Sequence, residues 1–459
     1  MQLSQKIKGL TPARLFRNWM NYEPSFGHGV HPDEHKAQTE NLAIQRVPFT
    51  GRYIMPLNQH MGAPCKAIVE TGQRVNRGQL IAEPGAFVST ALHSPVTGWV
   101  RAIEPRRYPG GKLALAIEIE ADPYATQHVE TQSSIDWQSL PMETFIEHVQ
   151  RAGVVGLGGA AFPTHVKYSL PEGKHIDHLV INGAECEPYL TCDYRLMVER
   201  PEVLLRGAEI VRQKLGAKRT TIGVELNKQN AIDILRRHIQ AGQPIEIAPL
   251  RVKYPQGAEK MLIKSLFGIE VPAGGLPRDV GMNVNNVGTL IAIADYFGSG
   301  MPLIERVVTV SGPGVTYPAN LIVPLGTPVR EVLRFCGGLK DTTREVIMGG
   351  PMMGTPIASL DVPVLKGTSG LLAFTEEQTP LPKEFPCVRC GRCIEACPHF
   401  LNPSRLARLS KMGCYEQLKD FHIDDCVECG SCTFSCPSGI PIIQLIRVGK
   451  AELRKGQLQ

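Results

Sequence analysis

Apolar and polar positions change their rhythm several times along this chain, and each change predicts a different kind of module. From about 140 to 300 the texture alternates: 143–151 is helical, 178–181 a buried strand, 203–215 helical, 220–224 a strand and 231–239 helical. Helices alternating with short apolar runs predict a parallel, doubly wound sheet. Residues 1 to about 130 are rich in Gly, Pro and short β-prone runs, which predicts a barrel-like scaffold. Residues 303 to about 375 are β-rich again, with Val307-Val-Thr-Val310 followed by turns and one short helix at 329–335, the pattern of a small β-grasp-like module. Pro380-Leu-Pro382 marks a linker into a cysteine-rich end. There Ser404-Arg-Leu-Ala-Arg-Leu-Ser-Lys-Met412 has helical spacing with Pro403 at its start, and Leu445, Val448 and Leu453 outline an amphipathic docking helix. The fold class is multidomain α/β plus α+β, with modules at 1–130, 131–302, 303–375 and 376–459.

Composition narrows the class. A chain of 459 residues is too long for one ordinary core, and 43% hydrophobic with 20% charged residues is the balance of a globular protein. A net charge of +5 with no basic block gives no reason to expect nucleic acid as a partner. The N-terminus, Met1-Gln-Leu-Ser-Gln-Lys6, lacks an apolar signal core, and no apolar run reaches about 18 residues. The longest uncharged stretch, between Arg306 and Arg330, holds Pro313, Pro318, Pro324 and Pro328 and reads as short strands and turns. No direct membrane span is expected.

Eight of the 13 cysteines form two runs of Cys-x-x-Cys-x-x-Cys-x-x-x-Cys-Pro, starting at Cys387 and Cys426. This spacing wraps three irons of a cubane while the fourth Cys points elsewhere, and in twin motifs that fourth Cys ligates the other cluster. Cys387, Cys390, Cys393 and Cys436 are assigned to one [4Fe–4S] cluster, and Cys426, Cys429, Cys432 and Cys397 to the second. Zinc sites use separated pairs of cysteines instead. With no export signal, thiolates in tight clusters point to a reducing, cytoplasmic setting. Cys65, Cys186, Cys192, Cys336 and Cys414 have no ligand spacing and read as small buried residues.

A second signal is Gly156-Leu-Gly158-Gly159-Ala160-Ala-Phe162-Pro163-Thr164-His165-Val-Lys167. Closely spaced glycines bring backbone N–H groups near a phosphate or flat ring, and Lys167 adds a cation. By itself such a loop is equally a tight turn, and His165 reads as orienting it. The strand at 178–181 runs into Asn182-Gly-Ala-Glu185-Cys-Glu187-Pro188, placing an amide and two carboxylates at a strand end, where open α/β sheets bind ligands. Tyr254-Pro-Gln-Gly257-Ala-Glu259-Lys260 and Asn285-Asn286-Val-Gly288-Thr289 are polar loops of the same character.

These residues resemble a known family along almost the whole chain: the C subunit of the Rnf-type ion-translocating oxidoreductase complex. The glycine loop, Asn-Gly-Ala-Glu-Cys-Glu-Pro and the twin cysteine runs appear in the family's order. The glycine loop is also similar to that of the NADH-oxidising flavoprotein subunit of respiratory complex I, Gly-Arg-Gly-Gly-Ala-Gly-Phe-Pro-Thr-Gly, with Leu157 in place of the arginine and Ala258 in place of a glutamate. The resemblance implies that Gly156, Gly158, Gly159, Ala160, Thr164, Lys167, Asn182, Asn285, Asn286 and Thr289 hold FMN in a Rossmann-like domain. Glu185, Glu187 and Glu259 would face NADH, the substrate. It further implies an SLBB-like third module, a helical ferredoxin-like end, and a peripheral place on the cytoplasmic face of the bacterial inner membrane. Attachment would come through other subunits of a membrane-bound electron transport complex, with ferredoxin served through one of them. The pattern Gly72 to Val75, Gly78-Gln-Leu-Ile-Ala82 and Ser94 to Val100 also resembles a lipoyl or biotinyl carrier, yet no Lys lies between Arg77 and Arg101 to be modified.

Two alternatives stand beside this one. A soluble flavin and iron–sulfur reductase, such as a cobalamin reductase, resembles the chain from the glycine loop onward. A non-enzymatic adaptor would relay electrons and hold no flavin. The A subunit of the sodium-pumping quinone reductase shares the front modules but lacks cluster cysteines, which excludes it.

Overall fold

The computed structural model describes residues 24–129, 134–379 and 383–456. The N-terminal reading at 1–6 and the linker at 380–382 lie outside the described residues. The first module pairs an antiparallel sheet, in the order Arg52–Pro56, Leu113–Ala121, Gly98–Arg107, Arg74–Val75, with a smaller sheet of Lys66–Ala67, Leu80–Glu83 and Leu92–His93. Tyr53, Ile81, Leu92, Val100, Ile117 and Ile119 close its core.

The second module is a four-stranded, fully parallel sheet in the order Ile245–Leu250, Arg219–Glu225, His178–Gly183, Met282–Asn286. Successive side chains of a strand point to opposite faces, and here both faces are apolar. Leu179, Ile181, Ile222 and Val224 pack on helices Pro201–Lys214, Gln229–His238 and Val287–Ser299. Val180, Ala248, Leu250 and Val284 pack on helix Glu259–Phe267. Burial on both faces is why these strands read as short continuous apolar runs.

The third sheet runs Ile44–Arg46, Ala319–Pro324, Glu305–Ser311, Gly370–Thr375, Thr343–Met348, Thr355–Pro356, with helix Val329–Phe335 over its core of Val308, Val310, Leu321, Val332 and Leu371. Its edge strand comes from far upstream: Ile44–Arg46 pairs in parallel with Asn320–Ile322. Residues 24–47 thus form a strap that crosses other modules before the chain enters the barrel.

The C-terminal module is helical, with Pro403–Lys411 packed on Ile442–Gly456. Asn402 caps the first of these through its side chain to Arg405 N at 3.1 Å, ahead of Pro403 at the first helical position. In the last helix the buried stripe is Ile442, Ile443, Ile446 and Leu453, while Val448 is 47% exposed. Of the expected stripe, Leu453 is buried and Leu445 packs against the same core, and only Val448 turns outward, since Gly449 makes the helix contact beside it: a Cβ added there would meet Ser410 Oγ at 2.5 Å. Among the described residues no helix is long and apolar enough to cross a membrane.

Candidate functional site

The carboxyl ends of the parallel strands bring the polar motifs together. Asn182 and Asn286 are register partners on adjacent strands, so their side chains start from the same sheet edge. Asn286 Oδ1 accepts from Gly288 N at 2.8 Å and caps the helix after it, while its Nδ2 donates to Asp193 Oδ2 at 2.6 Å. Thr289 Oγ1 accepts from Leu157 N at 2.9 Å and donates to Val155 O at 3.2 Å, which ties the glycine loop to the same helix. Gly156 N donates to Phe162 O at 2.8 Å and closes the base of the loop. The turn itself, Gly158 to Ala160, is exposed on a buried base.

This loop is shaped for a flat or anionic ligand. Gly159 has φ +109° with nothing within 4 Å of an added Cβ, so its backbone faces open space. A Cβ added at Gly158 would lie 3.6 Å from Asn286, in ordinary contact, so this glycine packs beside that asparagine. Leu157 is buried in the barrel core, and its carbonyl accepts from Arg306 Nη2 at 3.3 Å. The position that carries arginine in the similar loop therefore points inward here. Thr164 and His165 open the short helix Thr164–Tyr168, both buried. His165 Nε2 donates to Phe87 O at 2.8 Å, so the barrel hairpin that would display a modified Lys in a carrier instead braces the glycine loop.

Lys167 pairs with Glu259 and donates to Val284 O at 3.2 Å. Tyr168 OH donates to Asn285 Oδ1 at 2.9 Å, and Asn285 Nδ2 to Asn283 Oδ1 at 2.7 Å, so Asn285 is buried in a side-chain network. Asn182 Nδ2 donates to Gly257 O at 2.8 Å, while Gly257 N donates to Cys186 Sγ at 3.2 Å. Glu185 accepts from Asp193 N at 2.7 Å and Tyr194 N at 3.2 Å, capping helix Cys192–Glu199. Glu187 turns toward the third module and accepts from Met352 N and Met353 N, each at 3.0 Å.

Sequence reading missed four contributors. Asp193 meets Asn286 and Glu185, and burial with Glu185 nearby pushes its carboxyl up to about 7. Lys36, from the strap, donates to the carbonyls of Glu185, Glu187 and Leu190. Cys186, expected only as a small buried residue, is an acceptor inside the site, and Cys414 is only partly buried. Tyr254, quoted only as part of a loop, reaches the cysteine-rich module. Asp193 and Lys36 stand in no recognisable pattern; only the fold delivers them.

Burial pushes the Glu187 carboxyl up to about 7 from 4.5. A raised value in the folded state favours folding most below about 4.5 and loses that contribution as pH rises through about 7. Unfolding free energy measured by urea titration is expected to fall across this window, and Glu187→Gln should flatten part of the fall. An unchanged slope in the variant would assign it elsewhere.

The cysteines gather as two unlike sets. Cys397, Cys426, Cys429 and Cys432 line one recess with Leu401, Leu406, Ile443 and Ile446. Burial, with the neighbouring thiols adding to it, pushes Cys426 up to about 11 and Cys432 up to about 12. As bare thiols they keep their protons; as thiolates at this density they require a positive iron centre, which is the donor chemistry of a cluster. Burial raises the Cys393 thiol, with Cys436 and Cys387 among its nearby charges, while burial raises Cys426 and Cys432 with Cys397 among theirs. The two runs also repeat their backbone: Arg389 and Glu428 both have φ +57°, and Gly391 and Gly430 have φ +80° and +81°.

Family models match the chain as a RnfC barrel sandwich hybrid domain at residues 24–124, a Nuo51 FMN-binding domain at 149–295, an SLBB domain at 307–356 and a 4Fe-4S dicluster domain at 385–440. The chain is 44% identical over 431 residues to the C subunit of the proton-translocating ferredoxin:NAD(+) oxidoreductase complex of Clostridium ljungdahlii, covering 94% of each. It is 39% identical over 436 residues to the Na(+)-translocating counterpart of Acetobacterium woodii, covering 94% of this chain and 98% of the relative. To the C subunit of the ion-translocating oxidoreductase complex of Rhodobacter capsulatus it is 39% identical over 455 residues, covering 97% and 86%.

Proposed function

The chain belongs to the C-subunit family of the Rnf-type ion-translocating oxidoreductase complexes, and on that premise we propose how its own residues serve the transfer of electrons between NADH, FMN and two [4Fe–4S] clusters. It is the peripheral electron-input subunit of such a complex, and its partners are the other subunits of that complex. We read its modules as a barrel-sandwich domain at 1–130, a Rossmann-like flavin and nucleotide domain at 131–302, a β-grasp module at 303–375 and a ferredoxin-type domain at 376–459. We place it on the cytoplasmic face of the membrane.

When bound, FMN supplies the conversion between a hydride pair and single electrons that iron–sulfur clusters require. The exposed Gly158 to Ala160 turn offers backbone N–H groups to the cofactor, and Gly156 and Thr164 hold the ends of that turn. Thr289 fixes the turn against the helix N-terminus that Asn286 caps, and the dipole of that helix favours an anionic group. Lys167 is the cation of the pocket, held in place by Glu259. Asn182 orients the neighbouring backbone through Gly257 O, and Asn285 fixes the side chains of Tyr168 and Asn283. Glu259 is the carboxylate of the three best placed to meet a nucleotide, since its side chain keeps 41% exposure. Glu185 and Glu187 shape the pocket floor through the backbone N–H groups they bind. The cluster ligands are Cys387, Cys390, Cys393 and Cys436 for one cluster and Cys426, Cys429, Cys432 and Cys397 for the other.

The observation that best supports this reading is the exposed glycine turn tied to Thr289 through Leu157 N, in a module that also touches the cysteine-rich end through Tyr254. Full-length chain reconstituted anaerobically with FMN, iron and sulfide is expected to hold one flavin and about eight irons. NADH should bleach both chromophores. A chain that retains no flavin under any condition, or a flavin-replete chain that NADH leaves coloured, would overturn it.

A further inference from the structure

The two cysteine sets are alike in sequence but unlike in surroundings. Cys387 and Cys390 are exposed, with Cys393 and Cys436 half-buried. Cys397, Cys429 and Cys432 are only 7–9% exposed. Two side chains from outside the cysteine-rich module converge on this second set, and on it alone among the described residues.

The first is Tyr254, 1% exposed and packed with Val30, Ala396 and Cys429, with Cys186 and Met352 against them. Its hydroxyl donates to the carbonyl of Cys429 at 2.7 Å. The second is His28 of the strap, whose Nδ1 lies 3.1 Å from the carbonyl of Cys397 and whose ring sits 4.3 Å from that of Phe400. The strap is fastened beside both. Val30 and Tyr254 exchange both backbone hydrogen bonds at 2.9 Å, and Lys253 Nζ holds the carbonyl of Phe26 at 2.8 Å. His28 itself has φ +61°, a left-handed conformation that a non-glycine residue holds only where neighbours fix it.

We propose that His28 and Tyr254 are positioning residues for the cluster held by Cys397, Cys426, Cys429 and Cys432, fastening that ligand loop to the flavin module and setting its reduction potential apart from the exposed cluster's. This rests on the ligand assignment of the proposed function. A donor bonded to a ligand's peptide carbonyl draws electron density from that part of the ligand loop, which would favour the more negative, reduced state of a bound cluster and raise its potential. Removing the donor lowers it. The exposed set receives no such donor from another module among the described residues, so its potential is governed by water and by its own loop.

The test uses the full-length chain reconstituted anaerobically with iron, sulfide and FMN, titrated potentiometrically and followed by EPR. Tyr254→Phe removes one hydroxyl and keeps the ring; His28→Phe keeps the stack on Phe400 and removes the donor. Both are expected to shift the same cluster's midpoint downward, to leave the other unmoved, and to keep wild-type iron and flavin content. Cys426→Ser should alter the signal that these variants shift, and Cys387→Ser the other one. Midpoints that both move, or that both stay, overturn the proposal, as does a shift in the signal tied to Cys387. The ligand reading fails separately, and is told apart by wild-type protein: fewer than two clusters there, before any substitution at 28 or 254, would sink it and this proposal with it.

Discussion

Replacing Cys429 by Ala is expected to halve the iron of the reconstituted chain, from about eight to about four per chain, and to erase one of two cluster EPR signals. Cys429 is 8% exposed and lies between the Tyr254 contact and the recess lined by Cys397, Cys426 and Cys432. Alanine there leaves one iron without a protein ligand, and no fifth cysteine lines that recess to replace it. The loss should also destabilise the C-terminal module. Three thiols, two of them buried, then remain without the cation that would offset their crowding, and cluster binding no longer contributes to folding. Iron and sulfide analysis with EPR checks this, and Cys65→Ala is the control, since Cys65 is buried in the barrel with its thiol donating to Thr90 O at 2.9 Å. Eight irons and both signals in the Cys429 variant would show that this residue is not a ligand.

Lys36→Met is expected to cost about 3–5 kcal/mol in stability and to release FMN on gel filtration, because a buried carbonyl left unpaired costs roughly 1–3 kcal/mol. Lys36 is 6% exposed, and its ammonium donates to Glu187 O at 2.9 Å, Glu185 O at 3.0 Å and Leu190 O at 2.6 Å. Those carbonyls define the loop that carries Glu185, Cys186 and Glu187 past the sheet edge. Burial and the nearby Lys228 push the ammonium below its ordinary range, yet the three acceptors keep the site suited to a cation. Methionine fills the volume and satisfies none of them. The loop should then lose its form, and with it the bonds from Glu185 to Asp193 N and from Glu187 to Met352 N. Denaturant unfolding and flavin content are the measurements, with Lys66→Met, at an exposed position, as the neutral comparison. A variant of wild-type stability that keeps its flavin would show that the loop holds itself.

Much of the architecture was legible from local rules. The helix expected at 329–335 is Val329–Phe335, and the strand expected at 220–224 lies within Arg219–Glu225. Both follow from periodicity and turn residues, which act over a few neighbours. The twin cysteine runs were legible for the same reason, since ligand spacing is a short-range property, and their repeated backbone angles follow from it. Local rules failed where distant chain segments meet. The last helix presents Ile446 and not Val448 to the core because Gly449 lets it settle on Ser410, a residue of another helix. The strand Ile44–Arg46 carries no mark that it belongs to a sheet built some 270 residues later, because edge pairing needs only backbone groups and those are the same in every residue.

By itself, then, the sequence determined the cluster chemistry, the glycine turn, the alternation that makes a parallel sheet, and the absence of long apolar spans. Each depends on residue types at fixed short offsets, which chain connectivity already holds in place. Only the tertiary structure decided that Asp193 meets Asn286, that Lys36 clamps the Glu185 to Leu190 loop, and that His28 and Tyr254 bear on one cysteine set and not the other. Those contacts join residues up to 369 positions apart, and their identity depends on which surfaces are left to pack once each module has closed its own core.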